Sequence, residues 1–117
     1  MKNNGTVKQF SEVEAKEFGK DAPGVKIRVL IGENDGNPRY ILRMIEIEPG
    51  GNTPLHEHGF EHENFVLEGE GRVLLGEDWH ELRPGSVVYV PPGLRHQYVN
   101  AGAGKFIFLC GIPSCAQ

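Results

Sequence analysis

Three histidines fall within seven positions in the stretch PLHEHGFEHENFVLEG, Pro54 to Gly69. Residues i and i+2 of a strand point to one face, so His56 and His58 can present two imidazoles to the same point. Metal–nitrogen bonds are about 2.0–2.1 Å for zinc, short enough for such a pair to share one ion. Gly59-Phe60 permits a bend, after which His62 opens the next strand. Far along the chain, VPPGLRH brings His96 to the start of another strand, with two prolines and a glycine fixing the backbone before it. His56, His58, His62 and His96 are therefore candidate ligands of one divalent transition metal ion. Imidazole donors suit Zn, Cu, Fe and Ni. His80, in EDWHELRPG, has no partner in sequence and reads as a surface strand residue.

The elements that must position these residues are strands. Residues 1–24 are polar and weakly patterned and read as an N-terminal arm, with SEVEAKEF able to form one short helical turn. From Val25 to residue 117, short β-rich runs alternate with Gly, Pro and Asn/Asp punctuation, the signature of an all-β domain. VKIRVLIG and RYILRMIEIE flank Asp35-Gly36, a hairpin-turn signal. ENFVLEG, GRVLLG, HELRPG, SVVYVPPG, HQYVNAG and KFIFLCGI complete about eight strands. Such a chain must dispose of its sheet edges, which implies a closed or double-layered architecture. Several strands are apolar on both faces. Phe106, Phe108 and Cys110 share one side of their strand, and Ile107 and Leu109 share the other. One face fills the interior; the other calls for a second cover, and the expectation is a homodimer.

Composition narrows the partners. The chain has 117 residues and a net charge of −4, enough for one domain with a core. No Lys/Arg cluster marks a nucleic-acid surface. No apolar run approaches the ~20 residues of a membrane span, and the first residues carry no apolar secretory segment. Cys110 and Cys115 are expected to be reduced thiols, which fits a cytoplasmic protein.

The spacing of these motifs resembles the cupin family. Gly50, five residues, His56-Glu57-His58, three residues, His62, six residues and Gly69 follow the first cupin motif, except that His62 stands where an acid is usual. Gly85, Pro91, Gly93, His96 and Asn100 match the second motif throughout. The resemblance implies a double-stranded β-helix, or jelly-roll, barrel. It also implies a small-molecule substrate or ligand and a bound metal, with manganese and iron added to the candidates. Small cupins usually bind metal through three histidines and a glutamate. A subset of small single-domain cupins uses four histidines at this spacing.

A competing register turns Glu63 inward instead of His62, at the cost of a bulge before Gly69. Adjacent strand residues face opposite ways, so a regular strand cannot offer both. With His62 inward, Glu57, Glu61 and Glu63 face away or orient an imidazole from behind. Four neutral imidazoles leave a divalent ion its full charge. That makes it a stronger Lewis acid and stabilises its higher oxidation states less. Metal release is expected as pH falls through the imidazole range near ~6.5.

Arg43 interrupts the apolar centre of ILRMIEIE. It either points into the pocket, to hold a substrate carboxylate or enolate, or lies exposed with its stem over apolar surface. Asn64 shares a face with His62 and is a candidate pocket residue. Phe108 and Cys110 are candidate pocket residues, although Cys110 can equally be a buried core thiol. Three functions follow: a metal-dependent oxidoreductase of dioxygenase type, which the expected open coordination and the lack of a signalling domain favour; a non-redox isomerase or decarboxylase; and a small-molecule sensor without turnover.

Overall fold

The computed structural model describes residues 3–116, so the ends of both the arm and the barrel segment lie outside the described residues. Nine strands are present among them: β1 Lys16–Glu17, β2 Val25–Ile31, β3 Tyr40–Ile47, β4 His62–Glu68, β5 Gly71–Leu75, β6 Asp78–Leu82, β7 Val87–Val90, β8 His96–Asn100 and β9 Phe106–Pro113. They form two antiparallel sheets, ordered β1-β2-β3-β9-β4-β7 and β6-β5-β8. From β4 onward the chain passes from the large sheet to the small one and back, the path of a jelly roll. The long β3–β4 connection runs beside β8 and bridges it at Asn52–Val99 and His56–His96.

Alternation decides what is inside. β9 buries Phe106, Phe108, Cys110 and Ile112 and leaves the residues between them half-buried. Ile45, Phe108 and Val66 make one inner row across β3, β9 and β4, and Ile47 and Phe106 make the next. Phe106, Phe108, Ile41 and Ile47 are fully buried, each contributing roughly 1.5–3 kcal/mol. The row on the other side of Phe108 is polar: Arg43, Cys110 and Asn64 face one another across the same three strands.

The motif glycines do geometric work. Gly50, Gly69, Gly85 and Gly93 all have φ between +79° and +92°, a region side chains disfavour. At Gly69 a Cβ would also press on the carbonyl oxygen of Lys105, so the β4–β5 bend admits only glycine.

The arm departs from its expected form. It makes a 3-10 turn at Phe10–Glu12 and then a ninth, two-residue strand, β1, which the sequence reading did not contain. Lys16 and Glu17 pair with Ile27 and Lys26 of β2. Lys8 bridges Asp35 at 3.0 Å, and Arg28 donates to the Val13 carbonyl while lying over the Phe10 ring. The arm is thus laid on its own sheet. Asp35 and Gly36 close the β2–β3 connection as a 3-10 turn capped by left-handed Gly36. Cys110 is buried, Cys115 is exposed, and both are free thiols. No helix among the described residues is long and apolar enough to cross a membrane.

Candidate metal centre

The barrel brings His56, His58, His62 and His96 together. His56 and His58 come from the β3–β4 connection, His62 opens β4 and His96 opens β8. The backbone bridge between His56 and His96 sets two of the rings side by side, with centroids 4.6 Å apart. One ring nitrogen from each of His56, His58 and His96 falls within 4.8 Å of the others. His62 joins through its Nε2, 2.8 Å from Nε2 of His58. His62 and His96 are buried, whereas His56 and His58 are half-buried, so the group opens to solvent on the His56–His58 side.

The orientation of the rings is the strongest chemical feature. Nδ1 of His56 lies 2.7 Å from the Pro54 carbonyl oxygen, Nδ1 of His58 2.9 Å from that of Phe60, and Nδ1 of His96 2.8 Å from that of Leu94. A carbonyl only accepts, so each Nδ1 carries the proton and donates it. In the neutral form of such a ring Nε2 is a bare lone pair, turned to the centre. Nε2 of His96 is buried with no hydrogen-bond partner, an arrangement that costs free energy unless something electrophilic occupies the centre. Two nitrogens on one ion with ~2.0–2.1 Å bonds stand about 3 Å apart. The cluster therefore fits a divalent transition metal ion.

The electrostatics agree with that donor set. Burial, and then the neighbouring His96 ring and the Arg43 guanidinium, bring His62 down to about 3. Burial likewise lowers His58 and His96. These imidazoles are neutral at pH 7, the form that binds metal.

The remaining predicted residues separate. Glu63 is exposed on the outer face and pairs with Tyr89 and Gly111, while His62 is turned in. Of the two places open to the glutamates, facing away or behind an imidazole, no carboxylate holds a ring among the described residues: three rings are held by backbone carbonyls and the fourth, His62, by Cys110 Sγ at 3.1 Å. Arg43 points inward, and its Nη2 donates to Cys110 Sγ at 3.2 Å. Its Nε is buried without a partner. Asn64 is buried and accepts the hydroxyl of Tyr98. Phe108 lies one row deeper, packed on Tyr98 and Phe106 in the core. His80 is exposed on β6.

Sequence reasoning missed Tyr98 and Phe60. The Tyr98 ring lies 6.2 Å from His96 and 6.5 Å from His62, and burial pushes its phenol pKa up. Its position two residues after His96 on β8 was the available signal. Phe60 stacks on His58 with centroids 3.7 Å apart and planes 6° from parallel; nothing in the local pattern announces that.

Residues 43–112 match the family model described as "Cupin domain", which is more than half of the chain. The chain belongs to the cupin family. This cupin is 32% identical to the polyketide cyclase RemF from Streptomyces resistomycificus, with a TM-score of 0.86 over 93% of this chain and 79% of that one. A predicted oxalate decarboxylase from Thermotoga maritima superposes with a TM-score of 0.81 over 92% of this chain and 98% of that one. At 23% identity it supports the fold alone. Among curated sequences, a glucose-6-phosphate isomerase from Thermococcus gammatolerans is 44% identical over 57 residues, 44% of this cupin and 30% of that protein. The chain thus spans less than a third of the length of these isomerases.

Proposed function

We propose that this cupin uses one divalent metal ion, held by His56, His58, His62 and His96, to act on a small carbonyl compound without net oxidation. The observation that carries this reading is the donor set: four imidazoles, no carboxylate, and an unneutralised guanidinium beside them. An ion bound there supplies a Lewis acid that polarises a carbonyl oxygen. With no anionic donor among its ligands, its positive charge is undiminished and its higher oxidation states gain little. That weighs against the dioxygenase-type chemistry that the sequence alone favoured. Arg43 supplies a second positive charge where an enolate or carboxylate oxygen would lie. Fixed charge in a desolvated site stabilises such an oxyanion without reorganisation. Phe60 stacks on His58, and Tyr98, bonded to Asn64, lies beside His62 and His96. The words cyclase and isomerase that describe two of the relatives denote reactions of this kind. Manganese, iron, zinc, nickel and copper all suit the imidazole donors.

The test is proton exchange. Zinc- or manganese-loaded protein should speed hydrogen–deuterium exchange at the carbon between the carbonyls of a β-dicarbonyl compound, followed by NMR in heavy water. Oxygen uptake by iron- or manganese-loaded protein, with no such exchange, would overturn the reading in favour of a dioxygenase. Tight binding of a small acid with neither activity would make the protein a sensor.

The same reading includes a homodimer in the cytoplasm. The outer face of the large sheet leaves Leu42, Phe65, Leu67, Val87 and Tyr89 more than a third exposed, and the same face of a second copy is the occupant that would cover it. Free thiols suit a reducing compartment. Sedimentation should give twice the chain mass at micromolar concentration; a monomer alone would remove the dimer.

A further inference from the structure

The anchors of the four rings are not equivalent. Three Nδ1 atoms face carbonyl oxygens, which accept and never donate, so those rings are locked in one tautomer. His62 alone is anchored by a thiol, which can do both. Its Nε2 lies 2.8 Å from Nε2 of His58, and with the Phe60 carbonyl holding the single proton of the neutral His58 ring on Nδ1, that atom of His58 is bare. Two bare lone pairs at that distance repel. In the metal-free chain the proton of His62 therefore sits on Nε2 and is donated to His58. Nδ1 is then bare, and its neighbour at 3.1 Å is Cys110 Sγ, whose S–H can donate to it. An ion at the centre requires the reverse: Nε2 bare, the proton on Nδ1, and an acceptor beside it. Sγ meets that need when the S–H turns away. Arg43 Nη2 donates to the same sulfur at 3.2 Å, and Cys110 is fully buried between its register partners Arg43 and Asn64, so the sulfur stays in place in both states.

We propose that Cys110 is the positioning residue for His62, a donor-or-acceptor anchor that holds the ring in either tautomer and lets the fourth ligand join the ion without turning. The proposal rests on the metal reading above for its second state only. A carbonyl in this place would forbid the metal-free tautomer, and a lysine would forbid the metal-bound one. Serine has the same dual capacity; valine and alanine have none.

The experiment is nitrogen-15 NMR of the histidine rings in the full chain, metal-stripped and then zinc-loaded, alongside zinc affinity by chelator competition. Metal-stripped protein should show His62 protonated on Nε2 and His56, His58 and His96 on Nδ1; zinc should move the His62 proton to Nδ1. Cys110→Val keeps the core filled and should lose about 10–100-fold in zinc affinity, the usual cost of removing an outer partner of a metal-bound histidine. Cys110→Ser should recover most of that loss. Should Val disturb the fold, Cys110→Ala is expected to show the same loss with a smaller side chain. A His62 already protonated on Nδ1 in metal-stripped wild type would overturn the proposal, as would wild-type zinc affinity in folded Val and Ala variants. A wild type that takes up no metal would count against the metal reading alone, since the ring assignment of the metal-stripped protein still decides what Cys110 does.

Discussion

Arg43 and Cys110 face each other across β3 and β9, and the guanidinium donates to the sulfur at 3.2 Å. No carboxylate pairs with Arg43 among the described residues, and its Nε is buried without a partner. A guanidinium offers five donors in a fixed fork, so one corner can hold the sulfur while another stays available to a ligand. Arg43→Met should weaken binding of a small β-keto acid such as acetoacetate by about 10–100-fold, the scale of one lost charge-assisted hydrogen bond. Arg43→Lys should restore only part of it, since a point charge does not replace a fork. Calorimetric titration reads the effect; wild-type affinity in Arg43→Met would remove Arg43 from the site.

His62 and Glu63 compete for the same role in sequence and are separated by the pleat of β4. His62→Ala should lose metal more severely than the ~10–100-fold that outer partners cost, whereas Glu63→Ala should keep wild-type metal content. Metal analysis after dialysis against a chelator compares them directly. Equal losses in the two variants, or loss only in Glu63→Ala, would return the ligand to the acid.

Much of this was legible because spacing and pleat are local. The glycines that bracket the motifs set the turns, and alternation from His56 and from His96 then placed both ends of the cluster. It also put Asn64 and Cys110 on the inner side, since each lies on a strand whose apolar residues fix the face, whereas Arg43 stayed open between pocket and surface until its contact with Cys110 settled it. What alternation cannot supply is the layer. Phe108 was a candidate pocket residue by face, yet it lies one row below Cys110, because the register between β3, β9 and β4 sets depth and no single strand encodes that register. The anchors of the rings were hidden for a related reason. Pro54, Phe60 and Leu94 act through backbone carbonyls, which every residue has. β1 was missed because two residues of polar sequence pair with β2 through main-chain bonds alone.

Acid should destabilise the metal-free protein over a defined window. His62 has a pKa near ~6.5 when unfolded and about 3 when folded, and His58 and His96 are lowered as well. Between those values the unfolded chain binds more protons, so stability rises with pH there. Full stability is expected above about 6.5, with loss as pH falls from there toward about 3. The groups facing His62 are Arg43 on β3, Cys110 on β9, His96 and Tyr98 on β8, and His56 and His58; after burial, His96 and Arg43 act on it most strongly. Metal release should likewise extend below the ~6.5 expected from free imidazole. Urea midpoints at pH 5 and 7.5 for wild type and His62→Gln give the check. The variant should lose less on acidification; an identical drop in both proteins would place the acid sensitivity elsewhere.

Asn100 ends the second motif, and its side chain explains why the position asks for an amide. Nδ2 donates to the carbonyls of Ile47 and Gly104, both at 2.8 Å, and Oδ1 accepts from the Gly102 amide at 2.8 Å. One buried side chain thus ties the end of β3 to the turn that launches β9, the two strands that carry Arg43 and Cys110. An amide has the donors and the acceptor together; aspartate lacks the donors, and alanine lacks all of them. Asn100→Ala should cost about 3 kcal/mol, from lost hydrogen bonds and buried groups left unpaired. For a domain of this size that lowers the melting temperature by roughly 10 °C. Asn100→Asp should be comparably damaging, because the carbonyls of Ile47 and Gly104 would then face a carboxylate. His80→Ala, on the exposed strand β6, should stay within about 0.5 kcal/mol of wild type. Thermal unfolding of the three variants decides it: an Asn100→Ala protein that melts with His80→Ala would mean that the β3–β9 junction holds without this side chain.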